Sequence, residues 1–323
     1  MTVMKSWFGN FFASRGQPDM PELLSAINRA VSSVEPLLLQ ERGYSDRYRK
    51  PVAAALDYAR RLAASVPGPV VVDRESYVTD AYVHALFPDI DFVSEAVGSS
   101  AALRDYLRDF AAGRELYALM GMRRFEKTVV GMELSGDVVQ QDVAQKAVYF
   151  TSHTIENPAS SEQQARELVA NSFFDSLVGK VKKRVELRKQ ARQWQLLEKD
   201  MLMAKLRTAK DSDRPALEDE LAEKLGNLQA MVSSLELGHY IEDFEAVLLH
   251  PQDYLRLNQT PMVIDSMGIR RAGEDVRRGR NVLFNDLIGY DRRDWTVTMV
   301  RLGDLHKESF ADKLDKAYRR LAI

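Results

Sequence analysis

The sequence contains no cysteine. Disulfides, iron–sulfur clusters, Cys-ligated zinc and thiol nucleophiles are therefore excluded together, and a reducing compartment such as the cytoplasm is expected. No run approaches the ~18 consecutive apolar residues of a membrane span. The start of the chain is apolar, but Gly9 and Asn10 interrupt it between Lys5 and Arg15, so a cleaved export signal is not expected. An excess of charge of either sign is missing too: 45 Lys+Arg stand against 47 Asp+Glu, a net −2, which argues against a globally basic coat for nucleic acid. Gly-rich phosphate loops, a Gly-x-Ser-x-Gly elbow and a His-Glu-x-x-His helix are all absent. With 323 residues the chain has room for about two domains.

What is present begins with helical periodicity. Asp19 and Pro21 make a helix start, after which Leu23, Ile27, Val31, Val34 and Leu38 recur at three- and four-residue steps, predicting one helix bent at Pro36. Ser45 caps a second, with Val52, Leu56, Ala59, Leu62 and Val66 as its apolar stripe and Pro67-Gly68-Pro69 as its stop. Two more are predicted around 79–87 and 100–110.

The period then changes from 3.6 to 2. Thr128, Val130, Met132 and Leu134 alternate with Lys127, Val129, Gly131 and Glu133, and Ser135-Gly136-Asp137 turns the chain into a second extended run over 138–155. Short strands return over 254–257, 262–269, 281–288 and 295–302. In the last, Trp295, Val297 and Met299 share one face and Thr296 and Thr298 the other, which predicts a half-buried strand.

Between the two β blocks, residues 161–210 contain no proline and a single glycine, enough for one helix of ~75 Å at 1.5 Å per residue. Asp211 to Pro215 breaks it, and Leu217, Leu221, Leu225, Leu228, Val232 and Leu235 form a returning apolar stripe. The pattern predicts an antiparallel, coiled-coil-like hairpin whose outgoing arm faces its partner with Leu187, Trp194, Leu197, Met201 and Ala204. Residues 180–210 carry eleven Lys/Arg against three Asp/Glu, whereas 211–224 carry six acids against two bases. The arms therefore attract, and charge helps set their register. The shorter return arm leaves Phe173, Phe174, Leu177 and Val181 to be covered by the β block, the N-terminal helices or another subunit.

Candidate sites follow from clusters of polar groups. Asp80, His84, Asp89 and Asp91 form a candidate divalent-metal group, against the alternative of a solvated helix pair and a cap. Ser152 and His153 are adjacent, but neighbours in a strand point to opposite faces. Arg270, Arg271, Arg277, Arg278, Arg280, Arg292 and Arg293 crowd the turns of the second β block and are candidate anion ligands. Lys182, Lys183, Arg184, Arg188, Lys189 and Arg192 would meet phosphates if the basic arm bound nucleic acid. Trp7, Phe8, Phe11 and Phe12 make two i,i+4 aromatic pairs, the composition of a segment for peripheral membrane contact or for docking on the protein's own core.

The fold expected is α+β and mainly helical: an aromatic segment (1–18), a helical bundle (19–120), a small antiparallel β domain (121–160 plus 250–303) interrupted by the hairpin (161–238), and a C-terminal helix (304–323). The function expected is non-enzymatic: a cytoplasmic scaffold or adaptor that binds a protein partner or self-associates through Phe173, Phe174, Leu177, Val181, Trp194 and Met201. No cofactor is expected. Nucleic-acid or phosphate-ligand binding and a metal-dependent enzyme are the alternatives.

Overall fold

The computed structural model describes residues 20–109, 115–135, 138–210, 212–234, 239–271, 279–289 and 294–303. The aromatic N-terminal segment, the C-terminal helix and Arg277, Arg278, Arg292 and Arg293 lie outside them. The fold is α+β and mainly helical, and the chain divides into two compact units. One comprises the chain up to Arg61 together with Asn171–Leu255; the other comprises Leu62–Ala170 and the chain from Arg256 onward. The residues expected as one N-terminal bundle are thus shared between the two.

The first unit is helical. Helix α1 (Met20–Val34) buries Leu23, Ile27, Val31 and Val34. It stops where the sequence predicts only a bend: Pro36 has no N–H to donate, and Glu35 caps a separate 3-10 helix, Pro36–Gln40, by accepting from Leu37 N at 3.3 Å. Helix α2 (Tyr44–Ser65) buries Val52, Leu56 and Ala59 as its spacing requires.

Helix α7 (Glu162–Thr208) is the long arm and α8 (Arg214–Ser234) the return arm. A short helix, α9 (Tyr240–Leu248), which no expected element covers, follows and buries Tyr240, Asp243, Phe244, Val247 and Leu248. Tyr48 of α2 meets Phe244 of α9 edge-on at 4.7 Å, and Arg29 of α1 lies 5.5 Å from the Phe174 ring centre while pairing with Asp175 at 3.1 Å.

The second unit is a sheet with helices in its core. Strands β2 (Leu116–Ser135) and β3 (Val138–Ala159) form the expected hairpin, Ser135 pairing with Val138. Next come β4 (Leu255–Ile264), β5 (Ile269–Arg271), β6 (Arg280–Gly289) and β7 (Asp294–Leu302), and a two-residue strand, β1 (Val70–Val71), pairs parallel to β7. The order is β1-β7-β2-β3-β5-β4-β6, and β6 returns to pair with β7, which closes six strands into a ring. That closure buries both faces of β7, so it is not the half-buried strand its alternation predicts. Thr296 and Thr298 are buried, with hydroxyls donating to Asp286 at 2.7 Å and to the Pro67 carbonyl at 3.3 Å.

Helices α3 (Arg74–Thr79), α4 (Ala81–Leu86), α5 (Ile90–Ser99) and α6 (Ala101–Asp109) supply Val83, Leu86, Phe87, Val93 and Leu103 to the core formed with Met120, Met122, Phe150, Phe284 and Val300. The helix expected over 79–87 is α4, and α3 stands before it as a separate, unexpected helix because Asp80 ends α3 and caps α4, accepting from Tyr82 N at 2.7 Å. Arg166, near the start of α7, donates to the carbonyls of Ala63, Val66 and Gly68 at 2.9–3.0 Å and so closes the C-terminal end of α2. Gly68 is required beside it: its φ is +103°, and a Cβ would collide with the Met299 carbonyl oxygen.

Candidate partner-binding surface

Within the helical unit α7 runs unbroken from Asn171 to Thr208, so its rotation where it is buried sets the face that each later turn presents. From Asn171 on, Phe174, Leu177, Val181 and Val185 are buried in the helical unit. Arg184 Nε and Arg188 Nη2 lie 3.1 and 3.0 Å from Oδ1 of Asp243, and Lys189 Nζ lies 2.6 Å from Oε2 of Glu35. That last contact holds the Glu35 carboxyl below its usual range and the Lys189 ammonium above its own, in both cases chiefly through the hydrogen bond between them.

The same face continues outward in steps of three and four as Gln195, Lys199, Leu202 and Leu206, all buried or half-buried. On α8 the corresponding residues are Leu217, Leu221, Lys224 and Leu228. Lys224 Nζ reaches Glu198 Oε2 at 2.6 Å, which fixes an antiparallel register about residue 211 and raises the Lys224 pKa. In that register Leu206 stands opposite Leu217, Leu202 opposite Leu221, Lys199 opposite Lys224 and Gln195 opposite Leu228. Polar layers of this kind select register at a cost in stability.

The seam is therefore not the one the sequence predicts. Leu187, Trp194, Leu197 and Met201 are 51, 67, 56 and 61% exposed, and Ala204 is exposed as well. They form a second heptad stripe roughly 130° around α7 from the seam, at 3.6 residues per turn. Two stripes of the same period compete for α8, and the less apolar one has it because the buried face upstream sets the rotation of the helix.

Of the six residues predicted to meet a partner, the structure splits the set. Phe173, Phe174, Leu177 and Val181 are all buried and cannot be reached by a partner, whereas Trp194 and Met201 stand in the exposed stripe. The basic arm is partly neutralised: Arg184, Arg188 and Lys189 are held by Asp243 and Glu35, leaving Lys182, Lys183 and Arg192 on its surface. Asp243 is the residue that sequence reasoning missed. Its signal was the i, i+4, i+7 and i+8 spacing of Tyr240, Phe244, Val247 and Leu248, which marks α9.

The other candidates dissolve into structural roles. Asp80 caps α4, Asp89 accepts from Phe92 N at 2.7 Å, and Asp91 pairs with Arg74 at 3.1 Å. The His84 nitrogens lie 3.2 and 3.0 Å from the carbonyl oxygens of Tyr77 and Ser266. The four side chains are thus engaged separately, and no group of metal-ligating residues forms among the described residues.

Arg270 faces Glu126 at 3.3 Å, and Arg271 forks onto Asp265 with Nε at 2.9 Å and Nη2 at 2.6 Å. Both line a shallow groove with Met262, Val263 and Val282, but their guanidinium groups already have carboxylates. Arg280 is exposed. Ser152 sits at φ +55° in a β-bulge, where Ser152 and His153 of β3 together oppose Met122 of β2. His153 there donates from Nε2 to the Leu86 carbonyl at 2.8 Å, has no partner for Nδ1 among the described residues and stacks on Phe87 at 5.1 Å. Burial lowers its pKa, and it makes no base for Ser152.

No family model matches the chain, and comparisons with curated proteins and with solved structures return no match. Among the described residues no helix is long and apolar enough to cross a membrane.

Proposed function

We propose that this protein is a non-enzymatic scaffold or adaptor of the cytoplasm that engages a protein partner, or a second copy of itself, through the α7–α8 hairpin. The observation that carries this reading is the exposed stripe of Leu187, Trp194, Leu197 and Met201, which has coiled-coil spacing on an arm whose opposite face is already occupied. A solvated helix face has no physical need for a tryptophan, two leucines and a methionine in register; a helix laid along it would remove them from water. The absence of cysteine supports the compartment.

Site-specific photo-crosslinking in cells tests the proposal. A photoreactive residue at position 194 or 201 is expected to give covalent adducts with protein, and one at the exposed Lys182 on the same helix is expected to give none. Adduct-free chains at 194, 197 and 201 alike would remove the hairpin's role.

A further inference from the structure

We propose that the outer face of the closed sheet, across β7, β2 and β3, is a binding site for single-stranded nucleic acid, independent of the α7–α8 hairpin and its partner. Met120 and Met122 of β2 face the core, and Arg124 follows them inward to pair with Asp286 at 2.8 Å. Gly121, Arg123, Phe125 and Lys127 therefore share the outer face. Gly121 lies beneath the half-buried Trp295 of β7, where a Cβ would come 3.5 Å from the indole Cε3. The Arg123 guanidinium sits 5.4 Å from the Phe125 ring centre, and Phe125 stacks on Tyr149 of β3 at 5.6 Å. Phe125 and Tyr149 are 37 and 43% exposed. Aromatic rings and a guanidinium plane thus lie on three adjacent strands, which span about 10 Å at ~4.8 Å per strand.

Charge identifies the occupant. Arg123 and Lys127 are exposed and make no ion pair among the described residues. The carboxylates of the same region are turned to the other face and taken, Asp286 by Arg124 and Glu126 by Arg270 at 3.3 Å. Glu156, on the rim of the outer face, stands opposite Leu119, six residues along β2 from Phe125 and about 20 Å away at ~3.3 Å per residue. Rings interleaved with unpaired cations suit a ligand that carries flat apolar groups and negative charge together. A single strand is such a ligand, because its bases stack on aromatic rings or guanidinium planes while its phosphates meet the cations. A duplex keeps its base faces stacked on one another. An apolar segment of a protein would cover the rings but take Arg123 and Lys127 out of water without partners. Pairing of β2 with β7 ends at Met122, so among the described residues no strand blocks that edge beyond it.

Fluorescence anisotropy of the full chain with labelled oligothymidine, oligouridine and a DNA duplex tests the proposal. The single strands are expected to bind, and the duplex to bind about tenfold more weakly or not at all. With two phosphates held, log K should fall with log salt at a slope of about −1.4, and Arg123→Gln should reduce the magnitude of that slope by about 0.7. Phe125→Leu and Tyr149→Leu should each weaken binding about tenfold, whereas Tyr149→Phe, which keeps the ring, should bind as the parent chain does. A purely structural role for the stacked pair would leave the salt slope of Arg123→Gln unmoved. In a chain carrying Trp7→Phe and Trp194→Phe, Trp295 is the sole indole, and its fluorescence should be quenched as the strand binds. Failure of both single strands to bind at low salt would overturn the proposal, as would preference for the duplex. Binding unchanged by Phe125→Leu and Tyr149→Leu but lost in Lys182→Gln with Lys183→Gln would place the nucleic acid on the basic arm of α7 and overturn it too. None of these outcomes alters the photo-crosslinking result at positions 194 and 201, so the two readings stand or fall separately.

Discussion

Arg184 Nε lies 3.1 Å from Oδ1 of Asp243, a carboxylate with no solvent exposure, and Arg188 shares the same oxygen from one turn further along α7. Two partly exposed cations thus converge on one buried anion, and that convergence locks the rotation of the long helix. Replacing Asp243 by Ala removes the buried carboxylate that both guanidinium groups share. The expected cost is about 3 kcal/mol, with the loss concentrated in α9 and the middle of α7, because removing one member of a buried ion pair is worse than never having had it. Hydrogen exchange resolved by segment checks this: protection should fall over residues 180–190 and 240–248 and stay unchanged in the β unit.

Tyr48 makes a prediction of opposite sign. Its ring packs on Phe244, its buried hydroxyl has no hydrogen-bond partner among the described residues, and desolvation pushes its pKa up to about 12. Tyr48→Phe keeps the ring contact and removes an unsatisfied polar group, so the variant is expected to be about 1 kcal/mol more stable, read as a higher midpoint in urea. The folded pKa lies above the ordinary value of 10.0, so the neutral phenol is favoured in the fold. The stability linked to this group is complete below about pH 10 and is lost as pH rises toward 12. Tyr48→Phe should flatten part of that alkaline decline.

The elements with strong periodicity are legible in the sequence: α1, α2, the β2–β3 hairpin and the long helix all lie where their spacing puts them. Long-range closure is not. Nothing local in Thr296-Val297-Thr298 shows that β7 lies between β2 and β6 and is buried on both faces, because β2 and the Pro67 carbonyl that accepts from Thr298 come from distant segments. Glu35 illustrates the same limit at short range, since Pro36 is visible in the sequence but whether it bends or stops a helix depends on a capping side chain. The candidate metal group does not converge for a related reason: Asp80 and Asp89 accept from nearby backbone N–H groups and Asp91 pairs with Arg74.

Arg166 closes the last turn of α2 with hydrogen bonds to three carbonyls while Glu162 holds its Nε at 2.8 Å. A single ammonium cannot span three acceptors in a fork, so Arg166→Lys should be nearly as damaging as Arg166→Met. Hydrogen bonds to a charged group contribute about 1.5–3 kcal/mol, and a loss near the top of that range is expected from thermal unfolding. The accompanying signature is faster amide exchange at Val66, whose N–H donates to the Ala63 carbonyl at 3.3 Å, and at Met299, whose N–H donates to the Pro67 carbonyl at 2.7 Å.

The choice between two heptad stripes on α7 yields the sharpest mutational contrast. Leu202 is buried in the seam opposite Leu221, whereas Leu197, five residues earlier on the same helix, is more than half exposed. In dilute monomeric protein Leu202→Ala should cost about 2–3 kcal/mol of hairpin stability, because it removes a buried side chain from a seam only a few layers long. Leu197→Ala should change that stability by less than about 0.5 kcal/mol, as a surface substitution does. Limited proteolysis within 205–220 measures both, since cleavage at the turn rises as the arms part. If Leu197→Ala opened the hairpin and Leu202→Ala did not, α8 would occupy the stripe with Trp194 and Met201, and that face would be closed to any partner.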